Sequence, residues 1–163
     1  MEDNGKPQLH PFPALSLKVP PLVLVFLAAL AMWLLPPMAD MPHPGPWYAW
    51  LCGAFGSLGT MICLAGVWAF RRARTTVNPM HPDTASSLVV RGIYHHTRNP
   101  MYLGFLIVLL AWALYLAKLS ALLVPPLFVL YLTLFQIGPE ERALRAQFGT
   151  DFDLYAAQVR RWL

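Results

Sequence analysis

The chain has 163 residues, 57% of them hydrophobic and 12% charged, with a formal net charge of +4 and a mean hydropathy of +0.49. Soluble domains carry about 25% charged residues, so half the usual complement is missing, which argues against a large-cored soluble domain and for a polytopic membrane protein. The basic residues flank apolar segments, so membrane topology explains the positive charge and no nucleic-acid partner is indicated.

The length fits a single domain over 1–163, opening with a cytoplasmic tail over 1–18. Residues 19–35 form an uncharged run near the lower length limit for a span, about 17 residues. Pro20 and Pro21 suit its first turn, and Pro36-Pro37 end it. The stretch sits late and no A-x-A site follows it directly, so it reads as a retained span and not a cleaved signal. The loop "PPMADMPHPGP" (36–46) leads to a second span at 47–70, anchored at one interface by Trp47, Tyr48 and Trp50. Gly53, Gly56 and Gly59 give that span a smooth face for close helix packing. Cys52 and Cys63 lie within it on roughly one face, about three turns apart and too far to bridge.

Residues 101–116 make a third span and 119–137 a fourth, joined so tightly that they must form an antiparallel hairpin. Pro125-Pro126 should kink the fourth. The expected fold is therefore all-α with four transmembrane helices, a cytoplasmic loop over 71–100 and C-terminal amphipathic helices over 138–163. Arg71, Arg72, Arg74, Arg91 and Arg98 lie between spans two and three, and Arg142, Arg145, Arg160 and Arg161 follow span four. Lys6 and Lys18 precede the first span, and Lys118 alone falls on the opposite side. By the positive-inside rule both termini and the central loop are cytoplasmic.

In the tail, Gly138-Pro139 should end the fourth span, with Glu140 and Glu141 in the first turn of a new helix, complementing its dipole. Gly149 closes that helix, and Asp151 or Asp153 opens another with Phe152, Tyr155, Val159 and Trp162 as its apolar stripe. An amphipathic tail lying on the bilayer is the plainer reading, but it leaves the paired glutamates at the membrane boundary unexplained.

The stretch "RGIYHHTRNPMYLG" (91–104) concentrates polar groups at the mouth of the third span. A metal is not indicated: His95 and His96 are adjacent, His81 is the other nearby histidine, and no H-E-x-x-H or H-x-x-x-H spacing occurs. Ser86 and Ser87 lack a nucleophile elbow, and "RGIY" is no glycine-rich phosphate cradle. What remains suits a polar, charged cofactor. Arg91 and Arg98 can meet a carboxylate or phosphate, Asn99 offers donor and acceptor, and Tyr94 and Tyr102 present π-faces. Pro100 fits a first turn that keeps Asn99 extended, and Gly104 permits close approach of a ligand or a neighbouring helix. Positive-inside anchoring with interface aromatics accounts for the arginines and tyrosines, but not for Asn-Pro-x-Tyr-x-Gly.

"GIYHHTRNPMYLG" followed after one hairpin by "EERALRAQFGTDFDLYAAQVRRW" resembles the isoprenylcysteine carboxyl methyltransferase family and its relatives, the membrane phospholipid N-methyltransferases. Their shared pattern is G-x-Y-x-x-x-R-H-P-x-Y-x-G, a hairpin, then E-E-x-x-L-x-x-x-F-G-x-x-(F/Y)-x-x-Y. Gly92, Tyr94, Arg98, Pro100, Tyr102 and Gly104 match the first part. Glu140, Glu141, Leu144, Phe148, Gly149, Phe152 and Tyr155 match the second. The likeness covers roughly 65–163. Asn99 stands where the family usually has histidine, as in many small bacterial-type members, and asparagine cannot act as a general base.

The resemblance implies S-adenosylmethionine bound at the cytosolic face, with Arg98 and Glu141 as catalytic or organising groups. Gly92, Tyr94, Asn99, Tyr102, Leu103, Glu140 and Tyr155 would form the cofactor site. The acceptor would be a lipidic or small amphipathic molecule entering sideways from the bilayer, with "TTVNP" (75–79) as a place to grip it. Its methylated group is left open as a carboxylate, thiol or amine, and the oligomeric state is also open. A thiolate or carboxylate needs no base, whereas an amine or phenol must lose a proton, to Glu140, Glu141 or a histidine. Two other readings are a sterol-type membrane reductase using NADPH, which shares an R-H-P-x-Y element, and a non-enzymatic membrane protein. Compact size and the lack of a targeting extension lean toward a bacterial inner membrane.

Overall fold

A computed structural model describes residues 17–39, 45–74 and 86–163. The suggested acceptor grip at 75–79, His81, most of the N-terminal tail and the middle of the proline-rich loop lie outside the described residues. Among the described residues the chain forms helices and no β-strand. These are α1 (Pro21–Leu34), α2 (Trp47–Arg72), α3 (Pro100–Leu116), α4 (Val124–Tyr131), α5 (Gly138–Phe148) and α6 (Thr150–Gln158). Short 3-10 turns cover Gly92–His95 and Leu119–Leu123, and a π turn covers Leu132–Ile137.

Backbone and side-chain ties show how the helices alternate in direction. At one end Lys118 Nζ donates to the carbonyls of Trp33 (2.9 Å) and Leu35 (3.3 Å), and Ser120 Oγ to that of Pro36 (2.7 Å). A lysine there answers the carbonyls left over at the end of α1. The Tyr48 hydroxyl reaches Leu114 O at the same end. At the other end the Leu17 N–H donates to Phe135 O at 3.1 Å. Helix α1 therefore runs away from that second end, α2 returns to it, α3 leaves it again, and the α4 segment comes back. The third-to-fourth hairpin is as tight as expected, because Ala117 takes the left-handed conformation (φ 50°) and turns the chain at once.

The closest helix pair, α2 against α3, is built on glycine. A Cβ placed on Gly104 would lie 2.5 Å from Gly59 O and 2.8 Å from Cys63 N, and one on Gly59 would lie 2.7 Å from Gly104 O. The glycine stripe of α2 therefore packs as a helix surface, but through Gly59 and Gly66, whereas Gly53 faces open space. Gly104 serves a neighbouring helix and not a ligand.

Two expectations for the fourth segment need correction. Pro125 and Pro126 make no mid-helix kink, because the chain is in a 3-10 turn until Leu123 and the prolines occupy the first turn of α4. Nor does Gly138-Pro139 end the helix: Ile137 and Gly138 keep helical angles, and the run Leu119–Phe148 is continuous over 30 residues. Pro139 has no N–H to offer Phe135 O, and the backbone accommodates it by widening into the π turn, where Gly138 N–H reaches back to Thr133 O. The freed Phe135 carbonyl is the one that Leu17 satisfies. Because α5 has no free N-terminus, the dipole argument for Glu140 and Glu141 falls away.

Trp47–Arg72 and Leu119–Phe148 are long and apolar enough to cross a membrane. At 1.5 Å per residue they reach about 39 Å and 45 Å, past a hydrocarbon core of about 30 Å. Apolar character in the second run ends at Ile137, so Glu140 and Glu141 stand beyond it. Pro21–Leu34 and Pro100–Leu116 are also apolar but shorter. Large side chains such as Leu22, Phe26, Trp50, Trp68 and Leu127 are exposed, Trp50 at 83%. Apolar exposure on this scale marks a lipid-facing surface, not one in water. The interior core is Met32, Tyr102, Leu109, Ala113, Ala121, Phe128, Leu132 and Ile137.

Candidate functional site

The start of α3, the π turn with α5, and the tail meet at the end of the bundle marked by Leu17. Asn99 is non-helical ahead of Pro100, as the Asn-Pro step favours, but at φ −129° and ψ 55° it is not the extended residue expected from the sequence. Its Nδ2 donates to Arg161 O at 2.9 Å, and Thr97 Oγ1 donates to the same carbonyl at 3.3 Å while accepting the Asn99 N–H. The Arg98 N–H donates to Arg160 O. Residues 97–99 thus hold the backbone of 160–161 along their length.

Charge follows the same path. Glu141 Oε1 lies 3.1 Å from Arg98 Nη2, and Arg161 grips both oxygens of Glu141, Nε to Oε1 at 3.1 Å and Nη2 to Oε2 at 2.6 Å. Arg98 Nη1 also donates to Ala156 O in α6. The Glu141 hydrogen bond is the main reason the Arg161 guanidinium is held more firmly protonated than usual. One buried atom of this clamp, Arg98 Nε, has no hydrogen-bond partner among the described residues.

Glu140 has different company. Its Oε1 accepts from the Tyr102 hydroxyl and from Gln136 Nε2 at 3.0 Å, both neutral donors, and among the described residues no cation pairs with it. Gln136, 1% exposed, lies one turn before Glu140, inside the π turn. Burial pushes the Glu140 carboxyl up to about 7, against the lowering effect of those two hydrogen bonds. Neighbouring glutamates thus differ: Glu141 is neutralised by two guanidiniums, whereas Glu140 is a confined carboxyl that no cation among the described residues offsets.

Tyr94 is buried in the 3-10 turn, its ring edge-on to Phe70 at 5.3 Å, and its carbonyl accepts the Tyr155 hydroxyl at 2.7 Å. Burial raises both phenols, with Tyr155 and Glu140 adding to the effect on Tyr94 and Arg98 opposing it on Tyr155. Gly92 sits at φ +66° at the head of that turn. Of the residues expected at the site, Arg98, Asn99 and Glu141 meet around Arg161, Tyr102 and Glu140 meet with Gln136, and Tyr94 meets Tyr155. Leu103 contributes only its N–H to Asn99 O, within the helix. Sequence reasoning missed Gln136, Thr97 and Arg161. A lone glutamine four residues before Glu140 in an apolar run was the available signal for the first.

The family described as phospholipid methyltransferase matches residues 47–151, well over half of the chain. The chain belongs to the phospholipid methyltransferase family. Membership implies a membrane methyltransferase, of a kind that generally uses S-adenosylmethionine. An uncharacterised protein of Haemophilus influenzae is 44% identical over 63 residues, 39% of this chain and the whole length of that protein. No solved structure matches.

Proposed function

We propose that the protein is an S-adenosylmethionine-dependent methyltransferase acting at the cytoplasmic membrane face on a lipidic acceptor. The observation that carries this reading is the pair of unmet electrostatic demands at one end of the bundle. Among the described residues Glu140 is a carboxylate without a cation, and Arg98 Nε is a buried donor without an acceptor. A ligand carrying both a cation and a carboxylate answers both, and S-adenosylmethionine has a sulfonium, an ammonium and a carboxylate. The residues present therefore fit that cofactor.

When bound, the cofactor supplies an activated methyl group on sulfur, transferred by in-line displacement. The chain's own task is alignment and exclusion of water. Glu140, held by Tyr102 and Gln136, faces the cationic part of the ligand. Arg98 offers Nε to its carboxylate while Glu141 and Arg161 fix the guanidinium. The Asn99 side chain secures the tail over the site. Where the acceptor is an amine, Glu140 is the group suited to take its proton, since its carboxyl titrates near neutrality and Glu141 is committed to two arginines.

The proposed topology is four passes with both termini cytoplasmic, α1 and α3 crossing with help from the flanking non-helical residues. The domain limits read from sequence, 71–100 and 138–163 as the two cytoplasmic elements, belong to the same proposal, with a bacterial inner membrane as the setting. The test is transfer of labelled methyl from S-adenosylmethionine into membrane lipids by the purified protein. Label released as methanol by alkali marks a carboxylate acceptor, and alkali-stable label marks an amine or a thiol. No transfer into any lipid fraction, with loss of NADPH in its place, would favour the reductase reading.

A further inference from the structure

A second feature lies beside the site; it includes Arg91 and Gly92, for which the proposed cofactor contacts have no role. Between the end of α2 and the segment 88–93 is a cavity of about 630 Å³, a size that takes a small organic ligand. Its α2 wall is Ala65, Trp68, Ala69 and Arg72, one helical face at spacings of three and four, and Arg91 stands across from it. This face is not the one that packs on α3, which presents Gly59, Cys63 and Gly66. The apolar wall stops where α2 leaves its hydrophobic stretch, and there the guanidinium of Arg72 lies 5.4 Å from the Trp68 ring centroid. Neither Arg72 nor Arg91 has a carboxylate within ion-pair distance among the described residues, and no acidic residue lines the cavity. An apolar slot with two unneutralised guanidiniums at its polar end matches one chemistry, an alkyl chain ending in an anion.

We infer that this cavity seats an acidic bilayer lipid, its phosphate or carboxylate held by Arg72 and Arg91 and its chain laid along Ala65, Trp68 and Ala69. The positive-inside effect accounts for basic residues at this membrane face, but it does not distinguish Arg72 and Arg91 from Arg71 and Arg74. The cavity does, since only the first pair lines it. Seating is independent of methyl transfer, so the test needs no methyl donor.

Trp68 forms part of the wall and reports the occupant. The full-length protein in nanodiscs is titrated with bromine-labelled dioleoyl phosphatidic acid or, separately, bromine-labelled dioleoyl phosphatidylcholine, and quenching is followed with Trp68→Phe subtracted. Acidic lipid should quench at much lower mole fraction than the zwitterionic lipid. The pair Arg72→Gln/Arg91→Gln should weaken this about tenfold or more, the loss expected when charge-assisted hydrogen bonds to one anion are removed. Arg71→Gln/Arg74→Gln removes the same charge beside the cavity and should change little. If the first pair does not fold, Ala69→Leu narrows the slot with the arginines intact and should reduce quenching alone. Equal quenching by the two lipids, or equal effects of the two arginine pairs, would overturn the inference. So would displacement by inorganic phosphate as effectively as by the lipid.

Discussion

Replacing Gly104 with alanine tests the helix pair that holds the site in place. The added Cβ meets Gly59 O at 2.5 Å, Cys63 N at 2.8 Å and Cys63 Cβ at 2.9 Å, all parts of α2 that no rotamer change can move. Alanine in place of a mid-helix glycine normally gains roughly 0.5–1 kcal/mol from reduced unfolded-chain freedom. Forcing extra volume into a packed contact costs about 1–3 kcal/mol, and a contact below 3 Å with backbone belongs at the upper end. The clash wins, with a net loss on the order of 2 kcal/mol as α2 and α3 are pushed apart. Gly53→Ala is the internal control: nothing lies within 4 Å of its Cβ, so the propensity gain stands alone. Thermal unfolding of both variants in detergent, followed by size-exclusion chromatography of the surviving fold, should place Gly104→Ala below the parent and Gly53→Ala at or above it. A Gly104→Ala protein as stable as Gly53→Ala would refute the packing argument.

Three further outcomes follow from the site. Glu141→Ala leaves Arg98 and Arg161 without their shared acceptor; breaking a buried pair costs about 3–5 kcal/mol, less here because Arg161 is partly exposed. Hydrogen exchange should quicken in α6 and residues 159–163 while α3 stays protected; unchanged exchange in the tail would count against the clamp. Asn99→Ala removes one of two donors to Arg161 O and should cost on the order of 1 kcal/mol, read as a lower unfolding temperature and not as loss of the fold. The Glu140 carboxyl is raised from 4.5 to about 7, so between those values the folded chain binds more protons than the unfolded one. Stability should therefore fall as pH rises through that window and level off above it, and Glu140→Gln should flatten the slope. A parent protein that gains stability over the same window would contradict the burial of Glu140.

The parts of the fold that sequence made legible are those set by local chemistry. Apolar runs gave the first three helices to within a few residues, and Pro100 kept Asn99 out of the helical region. That Arg98 and Glu141 share one end was readable because both belong to motifs that a single hairpin brings together; that they pair with each other was not foreseen. What was not legible depends on three-dimensional fit. Gly138-Pro139 reads as a stop signal, yet the helix continues because a π turn accommodates Pro139 and Leu17 N–H donates to Phe135 O. Val159 and Trp162 were expected on the stripe of the last helix. They lie past its end at Gln158, and Val159 is buried all the same, because residues 97–99 hold the backbone beside it. Arg161 was counted as a topogenic charge, and only its position opposite Glu141 shows it to be part of the site.

The account stands on cofactor binding at the end of the bundle that carries Glu140 and Arg98. Calorimetry of detergent-purified protein with S-adenosylmethionine, S-adenosylhomocysteine and NADPH tests it most directly, with Glu140→Gln as the variant that keeps shape and removes charge. The prediction is micromolar binding of both adenosyl compounds, weaker in the variant for the cationic S-adenosylmethionine than for S-adenosylhomocysteine, and none of NADPH. A folded sample that binds neither adenosyl compound, or that binds NADPH instead, would contradict it.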